Sequence, residues 1–179
     1  DPITSVKRAP GSRHILFIVP LMVVGGADLF HLRLMEQLVE RGWEFSLVVT
    51  VDYTSAPLFP RFSASAKEIF YLPKFLRTPY AQTAFLISVM RSRHPDVVLL
   101  SSTLMGYLSL PLMRYFATEC SNPPVFLDYV HVQAPYWIEG GYARVSAFNN
   151  DFLDLSLTAS DQIANWMSQE PYLEVPLNR

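Results

Sequence analysis

Gly25 and Gly26 stand side by side in "VPLMVVGGADLF", between a wholly apolar run and an amphipathic one. Glycines there can do one of two things. They can free the backbone for a tight turn that lets a following helix pack on a sheet. Alternatively they let a ligand approach the main chain at a helix start, where unpaired N–H groups and a positive dipole end suit a phosphate. Local chemistry leaves both readings open. A second candidate is His131, at the end of the apolar run in "DYVHVQAPYW". A neutral imidazole there can bond a ligand hydroxyl, or can be satisfied by a backbone partner. Asp128 lies three residues earlier, on the opposite face of a regular strand, so a direct His–Asp dyad is not expected.

Other side chains carry less. Tyr136, Trp137 and Tyr142 flank Gly140-Gly141 in a loop that could stack on a sugar ring or simply close a core. Arg144 could meet an anion or stand as a solvated helix charge. Ser101, Ser102 and Thr103, like Ser160-Asp161, have the types that cap helices. His14 precedes the first apolar run, His31 falls inside the first helix and His94 precedes a proline. Nothing has the spacing of H-E-x-x-H, and no bound metal is expected.

The elements that must position these residues follow from periodicity. "HILFIV" (14–19) reads as a strand buried on both faces. Ala27, Phe30, Leu34 and Leu38 then recur at helical steps, with Glu36, Gln37, Glu40 and Arg41 opposite, and Gly42 ends the helix. "EFSLVVTV" (44–51) is a second strand. A loop holding Pro57 and Pro60 leads to a third, 68–73. Thr78-Pro79 opens a helix to about Arg93. Strands at 96–102, 125–132 and 154–160 alternate with helices at 103–117 and 141–151, and Ser160 caps a last helix bearing Ile163, Trp166 and Met167. Strands alternating with helices predict an α/β, Rossmann-like open parallel sheet with helices on both faces. Residues 1–12 read as a leading linker, 13–170 as one domain and 171–179 as an exit linker. Ligands of such sheets bind beyond the carboxyl ends of the strands, where strand order reverses.

Composition narrows the class further. Half of the 179 residues are apolar, only 17% are charged, and the net charge is −2. That balance offers nothing to draw nucleic acid or an anionic membrane. No apolar run approaches the roughly 18 residues of a membrane span. Cys120 is the single cysteine, which excludes an intrachain disulfide and favours a reducing compartment. The dinucleotide pattern G-x-G-x-x-G and the P-loop are absent. A phosphoacceptor receiver would need an acidic pair after the first strand, and "FIVPLMVVGG" has none.

The stretch "HILFIVPLMVVGGADLFHLRLMEQLVERGWEFSLVVT" resembles the opening of the family 4 glycosyltransferases, a retaining group with the GT-B fold. These open with a strand, a Gly-Gly-Ala-Glu stretch, an amphipathic helix and Arg-Gly-His-Glu-Val. Here the residues are Gly25-Gly26-Ala27-Asp28 and Arg41-Gly42-Trp43-Glu44-Phe45. Weaker similarity continues through "HPDVVLLSS" and "VFLDYVHV" to "DLSLTASDQIANWM", covering the first of the family's two domains. The resemblance implies that Gly25, Gly26 and Ala27 approach the diphosphate and sugar of a nucleotide-sugar donor. It implies a catalytic place for His131 near the reacting sugar. Asp28, Tyr136, Trp137, Arg144 and Ser102 become candidate acceptor or sugar contacts. Asp28 replaces the usual Glu, and Trp43 the usual His.

On this resemblance the chain would be the N-terminal, acceptor-side domain of a retaining glycosyltransferase. It would use a nucleotide-diphosphate-sugar donor, no separate cofactor, and a sugar, lipid or glycan acceptor. The missing C-terminal GT-B domain, with its E-x7-E motif, would be its partner. No nucleic-acid partner and no integral membrane segment are expected. The location would be cytoplasmic or at a membrane surface, and the domain alone would be inactive. A stand-alone α/β ligand-binding domain, or half of a GT-B sugar epimerase, are the alternatives.

Overall fold

The computed structural model describes residues 11–169, so the linkers expected at the two ends lie almost wholly outside the described residues. Six strands form one sheet: β1 (Arg13–Val19), β2 (Trp43–Val49), β3 (Glu68–Tyr71), β4 (Val97–Ser101), β5 (Val125–Val130) and β6 (Leu155–Thr158). All are parallel, in the order β3-β2-β1-β4-β5-β6. The helices are α1 (Gly26–Val39), α2 (Phe59–Ser65), α3 (Pro79–Arg93), α4 (Leu104–Ala117), α5 (Tyr142–Phe148) and α6 (Asp161–Gln169). The α/β architecture is the one predicted from the alternation of periods.

Strand side chains alternate between two cores, because successive Cβ atoms leave a strand on opposite faces. Leu16, Ile18, Val98, Leu100 and Phe126 pack with Leu86, Met90, Tyr107 and Leu110 of α3 and α4. Phe17, Phe45, Leu47 and Leu99 pack with Leu32 and Met35 of α1 and Phe62 of α2. β1 is buried along its length apart from Arg13, as its unbroken apolar run requires.

At one end of the sheet a polar chain crosses strands. His14 Nε2 lies 3.0 Å from Ser46 Oγ, Ser46 donates to Glu68, and the Arg93 guanidinium donates to both Glu68 oxygens at 2.8 Å. Burial pushes the Glu68 carboxyl up, but the Arg93 and Ser46 hydrogen bonds outweigh it and hold the group below its ordinary value.

Three expectations are corrected. The segment holding Pro57 and Pro60 is not all loop: α2 forms there, with Pro60 in its first turn, where a missing N–H costs no hydrogen bond. The buried row of α1 is Asp28, His31, Leu32 and Met35, while Ala27, Phe30, Leu34 and Leu38 are only half-buried. Two polar residues on the inner face had hidden its true centre. The third and fifth strands are shorter than expected, ending at Tyr71 and Val130, so His131 lies one residue beyond β5 rather than within it. Several local signals hold as read: Thr78 Oγ1 accepts from Ala81 N–H, and Gly42 adopts φ +83° after α1.

Candidate functional site at the strand-order switch

β1 and β4 are neighbours in the sheet but not in sequence. Beyond β1 the chain enters α1 and returns to β2 on one side; beyond β4 it enters α4 and reaches β5 on the other. The two connections diverge, which opens a crevice at the carboxyl ends of β1 and β4. Its edges are the 20–25 loop with the start of α1, Ser101–Thr103, and His131 after β5. Buried hydroxyls bridge these strand ends. Thr50 Oγ1 donates to the Val19 carbonyl at 3.2 Å and lies 2.9 Å from Thr103 Oγ1, which in turn accepts from Gly106 N–H as the α4 cap.

The glycine pair behaves differently from the turn reading. Gly25 caps α1 in extended backbone, φ −148°, and neither glycine has positive φ. A Cβ on Gly26 would meet nothing within 4 Å, and one on Gly25 would meet only the Asp28 carboxylate at 2.8 Å. Neither backbone strain nor packing demands glycine at Gly26. The missing side chains keep the first turn of α1 bare, and Ala27, the next residue, is half-buried.

Asp28 is 8% exposed, and its carboxylate turns back to accept backbone N–H groups of Asp28 and Val23. Burial raises its pKa despite those bonds. Its position in the fold is that of a clamp on the glycine loop. Tyr53, in the loop after β2, closes the same corner: burial and its neighbours Tyr71 and Asp28 push its pKa up to about 12.

His131 meets two groups that sequence reasoning ranked low. Its Nε2 is 2.8 Å from Nε2 of His31 and 3.0 Å from Ser101 Oγ, while His31 Nε2 is 2.7 Å from the same Ser101 oxygen. The Ser101 hydroxyl also donates to the Tyr129 carbonyl at 3.2 Å. Phe30, Tyr129 and His131 pack ring against ring at centroid distances of 4.4 to 5.3 Å, and Phe17 meets His31 edge-on at 5.2 Å. The apolar wall has an electrostatic consequence. Burial, then the second imidazole, holds His31 down to about 3, and burial holds His131 down to about 4. Both rings are neutral at neutral pH. They can exchange hydrogen bonds with a ligand, but they supply no charge.

Asp128 is on the opposite face, as strand alternation requires. It accepts from Tyr107 Oη at 2.6 Å and from Ser156, fully buried under α4. Burial raises both its pKa and that of Tyr107. No His–Asp dyad forms.

The aromatic loop is dispersed. Tyr136 is fully exposed, whereas Trp137 packs edge-on against Tyr142 at 4.8 Å. Arg144 Nε donates to the Glu139 carbonyl at 2.8 Å, and its guanidinium lies 5.6 Å from the Trp166 ring centre. Ser102 is buried with φ +48° immediately before the α4 cap. Here the glycines are required by the fold. A Cβ on Gly140 would strike the Trp166 ring at 2.4 Å, and Gly141 adopts φ +64° with Ala134 2.8 Å from where a Cβ would sit.

His31 and Ser101 were legible only in part. Ser101 ends β4 beside the switch, and His31 falls on the row Asp28, Leu32, Met35, one step from the apolar stripe. A groove of about 500 Å³ opens elsewhere, between α3 and α4, lined by Tyr80, Ile87, Leu108, Leu112 and Phe116 among others. It has apolar walls, and its Arg91 pairs with Glu119, so polar groups do not converge there. Among the described residues no three His, Cys, Asp or Glu side chains cluster as a metal site, and no helix is long and apolar enough to cross a membrane.

No family model matches the chain, and no curated protein does. Solved structures do. The fold is similar to that of a UDP-N-acetylglucosamine 2-epimerase, with TM-score 0.54 and 12% identity over 86% of this chain and 44% of that one. A mutant O-GlcNAc transferase from Thermobaculum terrenum also matches, with TM-score 0.45 and 17% identity over 75% of this chain and 26% of that one. The chain therefore spans less than half the length of either. Identity this low speaks to the fold alone, an α/β Rossmann-like domain.

Proposed function

We propose that this domain is the acceptor-side half of a GT-B glycosyltransferase that moves a sugar from a nucleotide diphosphate to a hydroxyl acceptor, with retained configuration. The observation that carries the reading is the bare glycine pair at the switch point. Gly26 is glycine although neither φ nor packing requires it. The start of α1 follows the carboxyl end of β1, where ligands of such sheets bind, and the N–H groups of Gly26 and Ala27 would serve an oxygen-rich one. Donors fixed before the reaction stabilise charge developing on a departing diphosphate without reorganising.

His131, neutral and half-buried, would hydrogen-bond the sugar rather than protonate it. Trp137, Tyr136, Arg144, Asp28 and Ser102 are secondary contacts on this reading, with Asp28 acting through the shape of the glycine loop. The second domain would supply most nucleotide contacts, so this chain alone should transfer no sugar. A cytoplasmic location fits the same reading.

The test is to sequence the reading frame beyond Arg179 and assay the full product against a panel of nucleotide sugars. A second α/β domain carrying E-x7-E, with transfer that is lost in Gly26→Val, supports the proposal. Inversion of the donor sugar without transfer would assign the fold to an epimerase instead. A frame that ends within a few residues, with saturable ligand binding by this chain, would leave a stand-alone binding domain.

A further inference from the structure

His31, His131 and Ser101 make three contacts with one another and a fourth to the Tyr129 carbonyl, with three protons among them, and that constrains where the protons sit. Each neutral imidazole carries one N–H, and Ser101 carries one O–H. Two N–H groups cannot face each other across 2.8 Å, so one of the two Nε2 atoms is bare. The Nδ1 atom of His31 decides which. It is buried and has no hydrogen-bond partner among the described residues. An N–H placed there would forfeit a whole hydrogen bond, whereas a lone pair forfeits less. The His31 proton therefore sits on Nε2, shared between His131 Nε2 and Ser101 Oγ. The Ser101 proton goes to the Tyr129 carbonyl, for which it is the donor.

We propose that His31 is a positioning residue: by donating from Nε2 to Nε2, it holds His131 in the Nδ1–H tautomer and so presents a fixed donor to an oxygen of the ligand. The inference rests on the reading of the cleft as a sugar-nucleotide site for its ligand, but not for its proton assignment. Both described polar contacts of His131 run through Nε2, one the bond accepted from His31 and the other an approach to Ser101 Oγ, so Nδ1–H is left for the ligand. A sugar hydroxyl or a phosphate oxygen satisfies it equally, since each offers a lone pair. The surrounding wall is Phe17, Phe30 and Tyr129, with Ser101 as the polar contact on β4.

The test is long-range proton–nitrogen NMR on the isotope-labelled chain at neutral pH, read for the tautomer of each ring. The expected result is His131 protonated at Nδ1 and His31 at Nε2. His31→Leu removes the donor, so His131 should move to Nε2–H, bonded to Ser101. His31→Gln places an amide N–H near the same point and should restore the native tautomer. Should His31→Leu lose its amide fingerprint, Ser101→Ala is the second variant: it leaves the two rings in contact, and the tautomers should not change. His131 protonated at Nε2 in the unaltered chain, or a tautomer indifferent to His31→Leu, would overturn the proposal. Titration of the full-length product, because the second domain would supply most nucleotide contacts, with a nucleoside diphosphate and, separately, with the free sugar distinguishes the oxygen sources. His31→Leu should weaken the ligand that binds by about tenfold, and His31→Gln by about twofold or less. Correct tautomers with neither ligand bound would keep the proton assignment and refute the sugar-nucleotide reading.

Discussion

A buried neutral histidine makes stability depend on pH in one direction only. His31 ordinarily titrates near 6.5 and is held to about 3 by burial in the folded chain. Between those values the unfolded chain binds a proton that the folded chain does not, so stability falls as pH falls through this window and is fully present above it. At about pH 5, about 1.5 units below the ordinary imidazole value, the unfolded ring is almost fully protonated and the folded one is not, which corresponds to about 2 kcal/mol lost relative to about pH 8. His131 moves the same way, but it is only half-buried and solvent screening reduces its share. Glu68 and Asp154 are held below their ordinary values, so their contributions disappear at lower pH, through the carboxylate range. The assay is urea denaturation of the unaltered chain and of His31→Gln at about pH 8 and about pH 5. Midpoints are compared at equal slope. The unaltered chain should lose about 2 kcal/mol more than the variant between the two conditions. Parallel losses would refute the reasoning, because they would mean that His31 is protonated in the folded cleft or solvated there.

Other perturbations test separate parts of the argument. Gly26→Ala should change urea stability by no more than about 0.5 kcal/mol, whereas Gly141→Ala, forced to φ +64° against Ala134, should cost about 2 kcal/mol or more. Equal costs would remove the contrast on which the glycine argument stands. Arg93→Met strands the Glu68 carboxylate beside Ser46 and should cost about 3 kcal/mol near neutral pH, less once Glu68 is protonated; a loss under about 1 kcal/mol would show the pair to be well solvated. Tyr107→Phe removes a 2.6 Å hydrogen bond to a buried carboxylate and should cost about 1.5 to 3 kcal/mol by thermal or urea unfolding. The same variant should leave the His131 tautomer unchanged, since Asp128 lies on the far face of the sheet.

Much of the fold was legible because its signals are local. The apolar run ending at Val19, the change to a helical period after Gly26, the Thr78-Pro79 start and the Gly42 stop each depend on neighbouring residues only. Repeated alternation of such signals selects a parallel sheet, since parallel strands need crossovers. The opposed positions of Asp128 and His131 followed from period two. What failed locally failed for stated reasons: Pro60 was read as a breaker although a first turn tolerates it, and Asp28 and His31 disguised the buried face of α1.

The cleft itself is a tertiary product. The strand order that opens it depends on which edge of the sheet each strand joins, and that is settled by packing energies summed over the whole chain. Only when β1, β4 and β5 lie together do His31, Ser101 and His131, separated by 70 and 30 residues, come within 3.0 Å. Burial then makes both histidines neutral, an effect of desolvation that no spacing encodes. The glycines show the same division. Sequence left the first pair open between a turn and a ligand approach and put the second in a loop, but only the tertiary structure distinguishes Gly140-Gly141, required by the backbone and by Trp166, from Gly26, which the backbone does not require. The sequence by itself determined the elements and their alternation. The tertiary structure decided which side chains share a site, because shared burial depends on every element at once.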